Sequence, residues 1–365
     1  MLAGCVLGRS TAAQPVARLL ARIPFLDRDP RPVPVQSPAG AGLDARQFTD
    51  LSSLTSETLV TPTSRFFVRT RATTSLARGP AWPIRVSGPA MAAQSVTPDR
   101  LAPFIRPQGA HLLECAGNVE PFGLMSVARW DGVPVLTLLD RLNAVSSGRR
   151  LLVVGEDDST HPWRTSIAGA SWAFSHDDLV RTGAFLATAM NDAPLSPDHG
   201  GPVRLVVPGW YGCAAIKWVT ALEWVDDDAP ATSQMLEFAR RTHQEGSQRL
   251  ARDFDPPAID TAAMPIRVER WQTGDGGFYR VVGIVWGGGI PTSAVEVQFN
   301  PGQPFVPVSD CPLPLSTAAW SLWSHDWRPE GPGTYTIALR VRDASIRTRR
   351  LDLSYYTRRV IIDAV

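Results

Sequence analysis

Glu114-Cys115-Ala116-Gly117-Asn118 concentrates more chemistry in fewer residues than any other stretch of this 365-residue chain. A thiolate is a good ligand for soft or high-valent transition metals and a good nucleophile. Ala116 and Gly117 are small enough for a bulky ligand to approach the backbone. A lone cysteine also suits a small buried hydrophobe, so the pentapeptide alone leaves metal ligand, nucleophile and core residue open. Asp198-His199-Gly200-Gly201-Pro202-Val203-Arg204 sets a histidine and an arginine on either side of a turn. The turn brings both side chains to one rim, where cations and donors can meet a phosphate; a surface loop with solvated charges is the plainer reading. Lys217, between Ile216 and Trp218, suggests an anionic partner or a lysine snorkelling beside two packed apolar residues.

Elements must deliver these groups. Leu112-Leu113 is a short apolar run that should bring Cys115 to a strand end. Phe66-Phe67-Val68, Leu151-Leu152-Val153-Val154 and Val203-Arg204-Leu205-Val206-Val207 read as buried strands, the last stopped by Pro208-Gly209. Val135 to Leu142 reads as a short helix, and Phe185 to Met190 as a helix or strand before the turn at Asn191-Asp192. From Ile259 onward the pattern changes. Ile266 to Trp271, Val295 to Phe299 and Tyr335 to Asp343 alternate apolar and polar residues, and Gly287-Gly288-Gly289 and Glu330-Gly331-Pro332-Gly333 punctuate them. Period-two alternation means strands with one buried face, and this spacing predicts an antiparallel sandwich of roughly 100 residues, the immunoglobulin-like size.

The expected organisation is an extended N-terminal tether over 1–50, with polyproline character at Arg31 to Val35; an α+β domain over 51–230; a linker and pocket-edge segment over 231–258; and an all-β sandwich over 259–365. Lys+Arg 36 against Asp+Glu 35 gives no basic excess, which argues against a general nucleic-acid or membrane-surface binder. Cys5, Cys115, Cys213 and Cys311 form no CxxC pair, which disfavours a zinc knuckle and a disulfide framework; Cys213 and Cys311 read as buried structural thiols. His111, His161, His176 and His325 show no metal spacing, and of the tryptophans only Trp163 and Trp210 are candidates for a pocket wall. No apolar run reaches the ~18–20 residues that span a bilayer. Leu2-Ala3-Gly4-Cys5 is similar to a bacterial lipoprotein cleavage box without its preceding signal. That suggests a start downstream of the true one and a periplasmic or membrane-anchored product, with a chance tetrapeptide in a cytoplasmic protein as the other reading.

Taken in order, these segments resemble the sulfite oxidase family of molybdenum enzymes. Thr61-Pro62 with Phe66-Phe67-Val68-Arg69 resembles the family's N-terminal pterin-contacting segment, and Cys115-Ala116-Gly117-Asn118 its molybdenum-ligand motif. Ala128 to Pro134, Gly155-Glu156-Asp157, Met190 to Leu195, Asp198-His199-Gly200, Val207-Pro208-Gly209 and Lys217-Trp218 continue the match, which covers roughly residues 51–345. The resemblance implies a molybdopterin domain followed by an immunoglobulin-like dimerisation domain. It implies a molybdenum–molybdopterin cofactor with Cys115 on the metal, and two-electron oxygen-atom transfer on a small oxyanion or sulfur compound. By position, Phe67, Val68, Arg69, Thr70, Arg71, Asp157, His199, Arg204, Ala215, Ile216 and Lys217 would hold the pterin and its phosphate. The implied partners are a small-molecule substrate and an external electron carrier such as a cytochrome or quinone system, because the chain has neither a haem-attachment CxxCH nor a Rossmann glycine fingerprint.

The departures bear on substrate. Arg69-Thr70-Arg71 stands where the family has Arg-Asn-His, and Val119-Glu120 where sulfite-oxidising members place arginines. A carboxylate beside a doubly charged anion costs binding. The stretch from Asn118 to Ala128 is short and lacks a tryptophan, and the C-terminal Tyr355 to Arg359 lacks the family's Trp-Asn segment. Phe238 to His243 aligns with the region of the active-site tyrosine, which makes His243 a candidate proton shuttle beside Arg69 as anion contact. Three rivals follow: a sulfoxide or oxyanion reductase on the same scaffold, favoured by Glu120 and His243; a cofactor-free cysteine hydrolase; and a non-catalytic binding protein of the family.

Overall fold

The computed structural model describes residues 17–26, 44–71, 82–89, 91–118, 122–145, 149–156, 167, 169–246, 248–314, 316–346 and 356–363. Two sheets build the first half. In one, Ala193–Pro194, Phe185–Met190, Met125–Pro134 and Arg106–Glu114 lie side by side, and Arg204–Val206 pairs with Phe185–Met190. In the other, the order is Met91–Val96, Ile84–Gly88, Val219–Val225, Arg150–Gly155 and Ser171–Phe174, with Ile84–Gly88 parallel to Val219–Val225. Ser171–Phe174 and Arg204–Val206 are buried along their whole length, whereas Met91–Val96 and the first part of Arg106–Glu114 are largely exposed; Trp82, Trp172 and Trp224 are almost fully buried. The helix His176–Thr182 packs beside them, opened by a reciprocal Ser175–Asp178 capping box and closed by Gly183 in the left-handed region.

The second half is a sandwich of two four-stranded antiparallel sheets. Arg18–Ile23, Ala262–Thr273, Gly276–Trp286 and Ser321–Trp327 form one; Val306–Pro307, Val295–Phe299, Gly333–Val341 and Thr357–Ile362 form the other. The inward side chains of the alternating runs meet between them: Val268, Val281 and Trp323 from one sheet, Val297, Ile337 and Val360 from the other.

The two halves are welded together. Ile259, Met264, Val282, Trp286 and Trp320 of the sandwich join the same apolar cluster as Leu51, Met125 and Leu222 of the first half. Arg267 donates to the carbonyls of Ser52 and Leu54, and the Trp320 indole donates to the Leu59 carbonyl at 2.9 Å. Among the described residues no helix is long and apolar enough to cross a membrane.

The short helix expected from Val135 forms over Val135–Arg141, whereas Phe185–Met190 is a strand with partners on both sides. A six-residue run at the middle of a sheet satisfies its backbone there better than in a single helical turn. Residues 18–23 depart from the expected tether. Arg18–Ile23 adds an edge strand to the sandwich, Phe25 is buried beneath it, and Asp44–Gln47 pairs with Val68–Arg71. An open sheet edge recruits any extended segment able to complete its ladder. Arg31 to Val35 and Leu2 to Cys5 lie outside the described residues. The 231–258 segment is packed as well: Thr232 caps the helix Ser233–Phe238, and Met235 and Ala251 are buried in the core of the first half.

Candidate active site

Cys115 follows the last residue of the strand Arg106–Glu114, as Leu112-Leu113 predicts. Its N–H donates to the Leu124 carbonyl at 2.9 Å, and its carbonyl accepts from the Asn118 N–H at 2.9 Å, so the chain turns back at once. The Asn118 side chain closes the turn, accepting from the Leu124 N–H at 2.9 Å and donating to Glu114 Oε1 at 3.2 Å. The Gly117 N–H points at Cys115 Sγ from 3.3 Å. Burial pushes the Cys115 thiol pKa up; that N–H and the charges of Arg69 and Arg241 pull against it. Arg241 reaches over Gly117, its Nη1 2.6 Å from where a Cβ would stand. The glycine's lack of a side chain opens the approach to the sulfur.

A second cluster lies along the strand Val68–Arg71. Lys217 Nζ donates to the Asp198 carbonyl at 2.6 Å and to the Arg69 carbonyl at 3.4 Å, tying the Asp198–Arg204 turn to this strand. Arg204 is 2% exposed; Nη1 donates to the His199 carbonyl at 2.9 Å and Nη2 to the Ala215 carbonyl at 3.4 Å, while Nε is buried with no partner. Its guanidinium lies 5.5 Å over the Trp130 ring. Burial alone lowers its pKa to about 10. His199, held edge-on to Phe66 at 5.4 Å and bonded to the Thr63 carbonyl at 3.2 Å, has its pKa lowered to about 4 by burial, then by Lys217 and Arg204. Cationic side chains buried with an unsatisfied N–H form a place built for an anion such as a phosphate.

The predicted residues are therefore largely brought together. Phe67 and Val68 are buried beside the cluster, the Phe67 N–H bonded to Ser126 Oγ at 3.0 Å. Ala215 supplies a carbonyl to Arg204, and the Ile216 carbonyl accepts from the Leu205 N–H at 2.7 Å. Thr70 and Arg71 pair through their backbones with Ala45 and Asp44; Asp157, Trp163 and the Val119-Glu120 pair lie outside the described residues.

His243, the expected proton shuttle, stands at the end of a short turn. It caps the turn Ala239–Thr242 in the left-handed region, and its Nε2 faces Asp260 Oδ2 at 3.2 Å. The residue of that turn that reaches the Cys115 loop is Arg241, which sequence reading passed over. An exposed arginine in a polar stretch looks like surface, and only the turn geometry aims it inward. Trp210, expected as a candidate for a pocket wall, is instead buried, stacked on Phe174 at 5.7 Å, and belongs to the core. Cys213 is buried as expected, and Cys311 is only half-buried. Among the described residues no histidine hydrogen-bonds the Cys115 sulfur: His199 bonds the Thr63 carbonyl and His243 faces Asp260.

Residues 72–233 match the oxidoreductase molybdopterin binding domain family. The chain is 26% identical over 329 residues to sulfite oxidase of Gallus gallus, covering 80% of this chain and 69% of that protein. It is 26% identical over 298 residues to the mitochondrial sulfite oxidase of Macaca fascicularis, spanning 74% of this chain and about half, 53%, of that one. A solved structure of the sulfane dehydrogenase SoxCD from Paracoccus pantotrophus superposes with a TM-score of 0.67 at 18% identity, covering 92% of this chain and 88% of that chain.

Proposed function

From the molybdopterin binding domain match over residues 72–233 and the likeness to sulfite oxidases, we propose that this chain is a molybdopterin-dependent oxidoreductase of the sulfite oxidase family that performs two-electron oxygen-atom transfer on a small anionic sulfur compound or oxyanion, with the Cys115 thiolate on molybdenum. The observation that carries this reading is the placement of Arg241 over Gly117, beside Cys115, with the backbone of Arg69, whose charge also lowers the Cys115 thiol pKa, tied through Lys217 to the His199–Arg204 cluster. One strand thus joins an anion-receiving mouth to a phosphate-receiving floor.

The residues suit the cofactor. Arg204 Nε is an orphaned buried donor, and His199 and Lys217 stand beside it; a pterin phosphate satisfies that donor set. Cys115 would supply one protein sulfur to the metal, and the pterin would hold it from its other side. When bound, the cofactor supplies the two-electron couple and the site of oxygen exchange. The chain itself does the rest. Gly117 leaves the sulfur open, Phe67 and Val68 wall the site against water, and Arg69 and Arg241 attract and orient an anion by charge and forked N–H groups.

The reductase alternative rests on Glu120, which lies outside the described residues, and on His243, which faces Asp260; the arginine pair favours an anionic substrate over a neutral sulfoxide and is neutral between oxidation and reduction. The electrons pass in this reading to an external carrier such as a cytochrome, and the sandwich serves a homodimer, which sedimentation tests. The deciding experiment measures molybdenum and pterin in protein from a cofactor-competent host, beside Cys115→Ser. Stoichiometric metal with a thiolate-to-molybdenum absorption band that the variant loses supports the reading; a metal-bearing wild type without that band refutes Cys115 as ligand. Assays with sulfite, thiosulfate and sulfoxides in both directions then choose the substrate class.

A further inference from the structure

Glu114 is wholly buried, one residue before Cys115, at the seam between the two halves of the molecule. A buried carboxyl is costly unless its oxygens are matched, and here each has a donor. Oε1 accepts from Asn118 Nδ2 at 3.2 Å, and Oε2 accepts from the Trp286 indole N–H at 2.9 Å. Asn118 closes the Cys115 turn; Trp286, 2% exposed, is the last residue of the sandwich strand Gly276–Trp286. A hydrogen-bonded path therefore runs from the sandwich through Glu114 and Asn118 to Leu124, and encloses the thiol.

The far side of the turn is held from the sandwich as well. Arg358, on the strand Thr357–Ile362 and 3% exposed, lies 4.8 Å over the ring of Phe122, itself buried. Across the same seam, Arg267, Trp320 and Ser316 donate to the backbone carbonyls of Ser52, Leu54, Leu59 and Ala110, and the Leu112 N–H donates to the Ala318 carbonyl, as ordinary docking contacts do; His243 pairs with Asp260 through side chains. The Trp286–Glu114 bond ends instead on a side chain adjacent to the sulfur. An apolar pair would fill the seam at lower desolvation cost, so the polar arrangement calls for a role in orientation.

We propose that Trp286 and Glu114 are positioning residues, through which the sandwich domain fixes the direction in which the Cys115 sulfur faces molybdenum. This rests on the reading of Cys115 as metal ligand. The metal's electronic structure depends on the angle at which the thiolate meets it, and side chains behind a ligand tune a site by orienting that ligand.

The test compares the holoenzyme with Trp286→Phe, Glu114→Gln and the double variant. Trp286→Phe keeps the ring and deletes the donor; Glu114→Gln keeps the shape and one oxygen acceptor. Molybdenum and pterin content, thermal midpoint, the thiolate-to-metal absorption band, the Mo(V) electron paramagnetic resonance spectrum and steady-state kinetics are read together. The expected result is full cofactor in each variant, a displaced band and altered g-values. With them, kcat falls about tenfold, the scale of one hydrogen bond, and KM stays within twofold. The double variant should be no worse than the worse single one, because both substitutions break one path. Unchanged spectra in cofactor-loaded variants overturn the proposal, whatever happens to the thermal midpoint. If Trp286→Phe fails to load, an unchanged spectrum in Glu114→Gln overturns it alone, and a shifted one supports it. A wild type with no thiolate-to-metal band refutes Cys115 as ligand, a separate failure that shows itself before any variant is made.

Discussion

Replacing Arg204 with methionine separates folding from cofactor binding. The guanidinium is 2% exposed, and burial lowers its pKa to about 10. Against an ordinary arginine above 12, that gap corresponds to about 3 kcal/mol of desolvation carried by the folded apoprotein. Methionine removes that cost and fills much of the same volume over Trp130. It also gives up two hydrogen bonds to the carbonyls of His199 and Ala215, which together contribute roughly 2 to 4 kcal/mol, the longer one least. The two terms nearly cancel, so the apoprotein of Arg204→Met should unfold in urea within about 1 to 2 kcal/mol of wild type. The holoprotein should behave differently. A buried guanidinium facing a phosphate is a pair whose breaking costs roughly 3–5 kcal/mol, or more than a hundredfold in cofactor affinity. Apoprotein from a cofactor-deficient host is unfolded in urea, and pterin and metal are counted after dialysis of protein from a competent host. An apoprotein destabilised by more than about 4 kcal/mol, or a variant that keeps its full cofactor complement, would refute the assignment of Arg204 to an anion site.

Other expectations follow from the same geometry. Arg241→Ala should raise KM for an anionic substrate about tenfold and leave kcat within about threefold, the scale of one exposed charge-assisted contact; a kcat effect without a KM effect argues against a binding role. His199 has its folded pKa lowered to about 4, against roughly 6.5 when unfolded. Its contribution to apoprotein stability is therefore full above about pH 6.5 and is lost as pH falls toward 4, by up to about 3 kcal/mol. Urea titrations at several pH values should show that slope in wild type and a flatter one in His199→Gln; identical slopes count against it. Gly155→Ala drives a Cβ into the Lys217 carbonyl and to 2.7 Å from Ile216 Cγ2, so it should cost roughly 2 kcal/mol or more in stability and lower pterin content with it. A variant with normal pterin would show that the Lys217 backbone can move freely.

The elements legible in the sequence are those whose pattern is local. The period-two runs from Ile266, Val295 and Tyr335 are strands of the sandwich because alternation records which face is buried. Cys115, His199, Arg204 and Lys217 were identifiable because their neighbours, small residues and turn formers, describe the backbone they need. His243 and Arg241 were not separable by pattern. They are two residues apart in one polar stretch, and only the fold shows that Arg241 reaches Gly117 while His243 pairs with Asp260. Trp286 and Glu114 are 172 positions apart, and nothing in either neighbourhood announces the other. The N-terminal segment was misread for the same reason, since Arg18–Ile23 is a strand only because the edge of Ala262–Thr273 is there to receive it.

That last pairing bears on any shortened version of the chain. Trimming to Leu51, the point at which the sequence pattern suggests packing begins, would strip the ladder from Val268 to Gln272 and leave that stretch of backbone unpaired on one side, with Val268 and Trp271 beside it. Edges of that kind invite neighbouring molecules to pair with them. The same cut would deprive Val68–Arg71 of the Asp44–Gln47 strand that aligns it. A protein trimmed in this way should come out of solution before it loses its metal, and adding back residues from 17 onward should restore it.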